Sequence, residues 1–257
     1  MRRRDKDEEV NGEMNNVMFY RNELKAIEIK NNKLKVEEFY TYLMDLEEED
    51  RYKVMENKHD YVQWIFPTDQ ESNFNANSYK LLPKECAIMK DSMEIAIRYI
   101  AYYSLFLNFI GAELVDVVSG KIDVLKDERM RRLRFNNLNK NTHNHLRITR
   151  ILKSLELFGF KCYKKELYTF LFAHHEEFKS CKDSMLCFWK PCAQRDHSHS
   201  SSYKDSVLFD EFKKLDDDKH SATLALDLLK KKYSIFQCNK NPENPDNTEH
   251  RENPPAE

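Results

Sequence analysis

Cys187, Cys192, His197 and His199 are the residues whose types come nearest to a metal-binding set. Zinc takes thiolates and imidazoles in a tetrahedron, but its structural sites are usually built on a close Cys-x-x-Cys knuckle, and none lies here. Pro191 falls between the two thiols and serines surround the two imidazoles, so the sequence offers no preformed tetrahedron. The reading is of incidental cysteines and histidines, with no resident metal and no cofactor. Cysteine–histidine nucleophile pairs can be drawn in many combinations from 6 Cys and 9 His. None has an oxyanion turn beside it, and 4 glycines leave little material to build one. Glu47, Glu48, Glu49 and Asp50 point around a helix, not across a substrate, which disqualifies them as an acid–base pair. A His-Glu-x-x-His pair, a phosphate loop and a dinucleotide fingerprint are all missing. The sequence predicts a protein that is not an enzyme.

Binding chemistry is better represented. Residues 136–144 form an Asn-rich stretch read as a turn, and Asn137, Asn139, His143, Asn144 and His145 supply it with amides and imidazoles. These groups either cross-link the turn to nearby backbone or meet a ligand. Asn144 is placed to cap the helix that follows, since its carboxamide oxygen can accept a free amide of the first turn. That helix carries Arg147, Arg150 and Lys153 at steps of three, on one surface. Arginine presents a planar donor fork that suits carboxylate or phosphate. The candidate partners are therefore a peptide or an acidic protein, with nucleic acid as the alternative. No aromatic residues are interleaved with the arginines, which favours protein or peptide over single-stranded nucleic acid. Trp64 joins the candidates through the alternative of an aromatic pocket, although a core ring is the simpler reading. On this view, Gln at Arg147, Arg150 and Lys153 would leave the helix intact.

The elements that must hold these residues follow from periodicity. Ile148, Ile151, Leu152, Leu155 and Phe158 recur at three- and four-residue steps, one face of a helix, and Gly159 stops it in the left-handed region. Val36, Phe39, Tyr40, Leu43 and Leu46 make a second stripe, which fades into acids. Residues 45–60 carry seven acids and three bases, a local charge of -4 that reads as a solvated face. A single long helix is predicted over 84–109, with a stripe broad enough for contact on more than one side. Residues 114–125 alternate weakly around Gly120 and read as a small hairpin or a structured loop, the one serious place for β-structure. Further helices are predicted over 165–178, over 181–193 with Pro191 as an end or a new start, and over 221–236. The last is striped by Leu224, Ala225, Leu228, Leu229 and Ile235 and capped by Ser221. Residues 126–153 hold nine bases and two acids, a local +7 in a chain of net charge -2.

Composition sets the frame. A chain of 257 residues buries a substantial core, and 16 Phe with 13 Tyr predict one built on large rings. The near-neutral balance gives no global signal for nucleic acid or anionic lipid. The apolar run near 95–110 is interrupted by Arg98 and Asn108, too short and polar to span a bilayer. No apolar run follows Met1, so a secretory signal is not expected and the thiols are read as reduced. The expected organisation is a mainly α, single multi-helix domain over 14–193 with one small hairpin. Residues 1–13 are read as disordered, 194–220 as a linker, 221–236 as a C-terminal helix and 239–257 as a disordered tail.

Three stretches also carry a resemblance. Residues 137–160, NLNKNTHNHLRITRILKSLELFGF, His59 to Pro67, HDYVQWIFP, and Asn16 to Asn22, NVMFYRN, stand in the same order as similar motifs in the conserved region of opioid growth factor receptors. Leu167 to Phe172 and Ser184 to Ala193 fit more loosely, so the resemblance covers roughly 14–195. It implies a non-catalytic, receptor-like protein that binds an enkephalin-type peptide and restrains growth. It also implies a place in the nucleus or cytoplasm, with peripheral association at the perinuclear membrane.

Overall fold

The computed structural model describes residues 14–71, 78–195, 204–215 and 221–236. The tails 1–13 and 239–257, together with His197 and His199, fall outside the described residues. In chain order the first elements are α1 (Asn15–Tyr20), β1 (Ile27–Ile29), β2 (Asn32–Leu34), α2 (Val36–Asp45), α3 (Glu48–Asn57) and α4 (Tyr61–Ile65). Next come α5 (Pro83–Asp91), α6 (Met93–Ile110), β3 (Ala112–Asp116), β4 (Lys121–Val124), α7 (Glu128–Lys140), α8 (His143–Leu157) and α9 (Lys161–Ala173). A 3-10 turn at Lys179–Cys181 leads into α10 (Lys182–Ser184), a π-helical segment at Met185–Trp189 and α11 (Lys190–Gln194). The short α12 (Leu208–Phe212) and α13 (Ala222–Lys232) complete the described fold. It is mainly helical, as expected, with two small antiparallel hairpins.

Helix α6 is the axis. It is buried on nearly every side, as its broad stripe demands. The helix predicted over 84–109 is broken at Ser92, whose side chain accepts the amide of Ile95 and caps α6. Tyr99 on α6 stacks on Phe158, with ring centroids 4.1 Å apart, and lies parallel to Phe160 at 5.5 Å. The buried tyrosines also fasten neighbouring elements. The hydroxyl of Tyr102 donates to the carbonyl of Val36 at 2.6 Å, that of Tyr163 to Val117 at 2.7 Å, and that of Tyr20 to Ile65. Each such bond satisfies a hydroxyl that would otherwise be stranded in the core.

The hairpin expected over 114–125 forms as β3–β4, with Ala112 opposite Val124 and Leu114 opposite Ile122. A second hairpin, β1–β2, was not expected. Its strands have three residues each, too few for an alternation signal, and Lys30 and Asn31 both take positive φ at the turn. The region read as a linker carries α12, whose Leu208 and Phe212 are fully buried. The C-terminal helix docks on the rest: Ala225 and Leu229 face inward, and Phe236 stacks on Tyr40 at 3.9 Å. Its predicted stripe is partly wrong, because Leu224 and Leu228 are exposed and Leu226 is buried. Ser221 occupies the cap position without a side-chain cap bond. Pro191 marks a new start: it stands in the first turn of α11, directly after the π-helical segment. The π-helical turn before it widens the ladder just where proline lacks its N–H.

Gly159 does stop α8, at φ 81°, and the chain at 204–206 crosses directly over it. A Cβ there would stand 2.4 Å from the backbone nitrogen of Ser206, which also donates to the Gly159 carbonyl at 3.2 Å. Backbone cannot rotate away as a side chain can. Gly159→Ala is expected to lower the urea-denaturation stability by about 2–4 kcal/mol, combining left-handed strain with overpacking. Parental stability in this variant would show that the crossing is not close.

Candidate functional site

Helix α7 runs straight through Asn136, Asn137 and Asn139, so the Asn-rich stretch is a helix end and not a turn. Only Asn141 and Thr142 separate it from α8. Thr142, not Asn144, holds the cap position, and Asn144 lies fully buried inside the first turn. Asn137, Asn139 and Asn144, whose polar side chains would disfavour a helix, are engaged. Asn137 and Asn144 both donate to one oxygen of Glu56 on α3, at 2.9 and 3.1 Å, and His143 Nε2 stands 2.9 Å from the other. Asn139 donates to the carbonyl of Glu177 at 2.7 Å and accepts the amide of Ser180 at 3.1 Å, fixing the chain that leads into α10.

His145 is buried and committed. Its Nε2 faces the carbonyl of Leu138 at 2.9 Å, and a carbonyl only accepts, so Nε2 donates there, while Nδ1 is hydrogen-bonded with the Ser184 hydroxyl at 3.0 Å. The Cys181 sulfur lies 3.2 Å from the same Nε2. Cysteine and histidine do meet here, but burial raises the Cys181 thiol to about 12, so no thiolate nucleophile is available. Trp64 is also packed away, 4% exposed against Phe19 and Tyr79, in keeping with a core ring. It does not share a cavity with the other candidates.

The three bases of α8 do share one surface, as their spacing requires, but that surface is already covered by residues 55–70. Arg147 is 6% exposed. Its Nη1 donates to the carbonyl of Met55 at 2.8 Å and to Asn144 at 3.1 Å. Its Nη2 donates to the carbonyls of Glu56 and Lys58, at 3.2 and 3.1 Å, and to Nδ1 of His59 at 3.0 Å. The guanidinium thus closes the C-terminal end of α3, where free carbonyls favour a cation. Arg150 donates from Nε to the Phe66 carbonyl at 2.7 Å, and Lys153 reaches Gln70 at 2.8 Å. Arg147 thus fastens residues 55–58 to α8, a role that the expectation for Gln at these three positions did not include. The upstream bases are not one free patch either. Arg134 lies over the Tyr52 ring at 3.5 Å and faces Glu48 at 3.4 Å, while Arg129 faces Glu49 at 3.6 Å. Part of the acidic run at 45–60 is a counter-surface for the basic run, and not only a solvated face.

Between α4, the segment after it and α8 lies a cleft of about 250 Å³. His143, Arg147, Arg150 and Lys153 line it, joined by His59, Val62, Thr68, Gln70 and Leu146. Four of the nine candidates are thus brought together, while Trp64, Asn137, Asn139, Asn144 and His145 serve the packing around them. Glu56, which orients the cleft wall, gave no periodic or motif signal of its own, and His59 stood in the 59–67 motif with no binding role read for it. Their role arises from contacts about ninety positions away in sequence. Arg150 has no carboxylate partner among the described residues, and burial lowers its pKa to about 10, still charged at neutral pH. His59 is pushed below its usual 6.5 by burial first, then by Arg147 and His143, against the opposing pull of Glu56 and Asp60.

The described residues form a helical domain with a small cationic cleft, and no group among them could hold a metal ion. The chain belongs to the opioid growth factor receptor family: the family described as the opioid growth factor receptor (OGFr) conserved region matches residues 9–214. It is 36% identical over 164 residues to the opioid growth factor receptor of Mus musculus, covering 64% of this chain and 24% of that protein. Against the Homo sapiens receptor the identity is 34%, over 64% of this chain and 22% of the relative. Opioid growth factor receptor-like protein 1 of Rattus norvegicus is 31% identical, over 59% of this chain and 32% of its own length. The chain therefore spans under a third of the curated relatives it matches. No solved structure matches it.

The tie between Arg147 and His59 Nδ1 requires a neutral imidazole. Because the folded pKa of His59 lies below 6.5, its contribution to stability is complete above that value. It declines as pH falls below it, where the unfolded chain takes up the proton first. Urea denaturation from about pH 7.5 down to about 5.5 should show a fall in stability that His59→Gln makes shallower. Identical slopes in parent and variant would remove His59 from the account.

Proposed function

We propose that this chain is a non-catalytic, receptor-like interaction module that receives part of a peptide in the cleft between α4 and α8. The observation that carries the reading is Arg150, cationic, largely desolvated and without a carboxylate partner among the described residues, at the wall of a cleft. Charge-assisted bonds are strongest where water is excluded, so an acidic side chain or a C-terminal carboxylate suits this position. Val62 and Leu146 offer apolar contact beside it. At about 250 Å³ the cleft lies below the roughly 300 Å³ at which drug-sized pockets begin, so it fits one end or one side chain of a peptide. The names of the relatives add the ligand class: an opioid-type peptide, with growth regulation as the outcome. We further propose a nuclear or cytoplasmic site of action, peripheral at the perinuclear membrane, on the resemblance of the 59–67 and 137–160 motifs alone. Among the described residues no helix is long and apolar enough to cross a membrane.

The nucleic-acid alternative has less support. The basic run it relies on is divided between the buried Arg134 and Arg147 and the exposed, acid-paired Arg129 and Arg132.

Titration calorimetry of the full chain with an enkephalin-type pentapeptide tests the reading. Saturable binding is expected, weakened about tenfold or more by Arg150→Gln, as for loss of a charged hydrogen bond of about 1.5–3 kcal/mol. Amidating the peptide C-terminus should produce a similar loss. Leu146→Glu, at an exposed position on the cleft wall, gives a second variant that spares the core. No heat with the parent, or parental affinity in both variants, would defeat the proposal.

A further inference from the structure

A larger groove lies on the other side of α3, between the α2–α3 corner, the end of α6, the β3–β4 hairpin and the start of α7. Its volume is about 640 Å³. The floor is apolar, made by Met55, Leu105, Phe109 and Met130, and the rim is acidic, carrying Asp45, Glu47 and Glu113. We propose that this groove is a second docking site, opposite in sign to the first, for a basic amphipathic peptide segment of a partner protein. The proposal is independent of the α4–α8 cleft.

Three observations point to that chemistry. The rim charge is unbalanced. Of the bases that line the groove, Arg51 is tied to the carbonyls of Leu43 and Leu46, at 2.7 and 3.0 Å, and Arg134 faces Glu48. Asp45, Glu47 and Glu113 have no side-chain partner among the described residues, which leaves Lys126 as the one untied base on the wall. Glu113 also stands opposite Asp123 in the hairpin register, a like-charge pair that costs stability unless a cation sits beside it. Finally, Arg134 is 6% exposed, lines the groove and has an Nε–H with no acceptor among the described residues. A buried donor without a partner carries a desolvation cost that an incoming carbonyl would relieve. A cation for the rim, an apolar side chain for the floor and a backbone carbonyl for Arg134 are together what a Lys- or Arg-containing amphipathic segment provides. A bare polyamine lacks the second and third, and an acidic segment is repelled by the rim.

The test is fluorescence anisotropy of the full chain with a labelled twelve-residue peptide alternating Lys and Leu. Saturable binding is expected, at least tenfold weaker with the Glu47→Gln/Glu113→Gln double variant and unchanged with Arg150→Gln. Glu47 makes no cap bond to α3, so its replacement leaves that helix its hydrogen bonds, and thermal melts confirm the variant is folded. A peptide with Ser in place of Leu should bind at least tenfold more weakly. No saturable binding, equal affinity for the double variant, or equal affinity for the Ser peptide would overturn the proposal. If binding is instead lost with Arg150→Gln and kept in the double variant, the segment uses the first cleft, and the second site is refuted while the first stands.

Discussion

The guanidinium of Arg147 is the constraint on which the surroundings of α8 depend. Helix α3 ends against it, and the turn into α4 is held through the carbonyls of Met55, Glu56 and Lys58. Three carbonyls at a buried helix end need donors, and no other side chain supplies a planar fork at that point. With that end fixed, the Glu56 carboxylate turns toward α7 and α8, where Asn137, Asn144 and His143 converge on it. Arg150 and Lys153 continue the seam along the chain that follows. A row of bases on one helix face thus acts mainly as a fastening between distant parts of the sequence.

The same economy shapes the electrostatics. The acidic run of α3 and the basic run of α7 face each other through Glu48–Arg134 and Glu49–Arg129. The second pair is exposed and contributes little; the first is half buried and reinforced by the Tyr52 ring. What remains after this pairing is local imbalance on either side of α3: positive toward α4–α8, negative toward the β3–β4 hairpin. Net charge hides both, because they cancel across the molecule.

Periodicity revealed most of the architecture. The α8 stripe, its stop at Gly159 and the β3–β4 hairpin were legible because each depends on neighbouring residues. The 137–160 and 59–67 motifs carried the family as well. The break at Ser92 was hidden because the apolar pattern continues across it while the backbone does not. The β1–β2 hairpin was too short to announce itself. Asn136 to Asn139 read as a turn because asparagine favours turns in isolation; tertiary partners in α3 and at 177–180 outweighed that preference. The exposure of Arg147 was misjudged for a related reason. Helical spacing tells which residues share a face, but not whether another segment of the chain lies on it. Four of the nine candidate binding residues therefore reached one cleft, and the rest became its support.

The direct test is urea denaturation of Arg147→Lys. Lysine keeps the charge but replaces the planar fork with a single ammonium, so it cannot span the carbonyls of Met55, Glu56 and Lys58 together. If Arg147 closes α3, the variant loses about 2–3 kcal/mol of stability, as for buried charge-assisted bonds left unmade. A stability equal to that of the parent would mean that charge alone suffices and that the fork is not what holds this part of the fold.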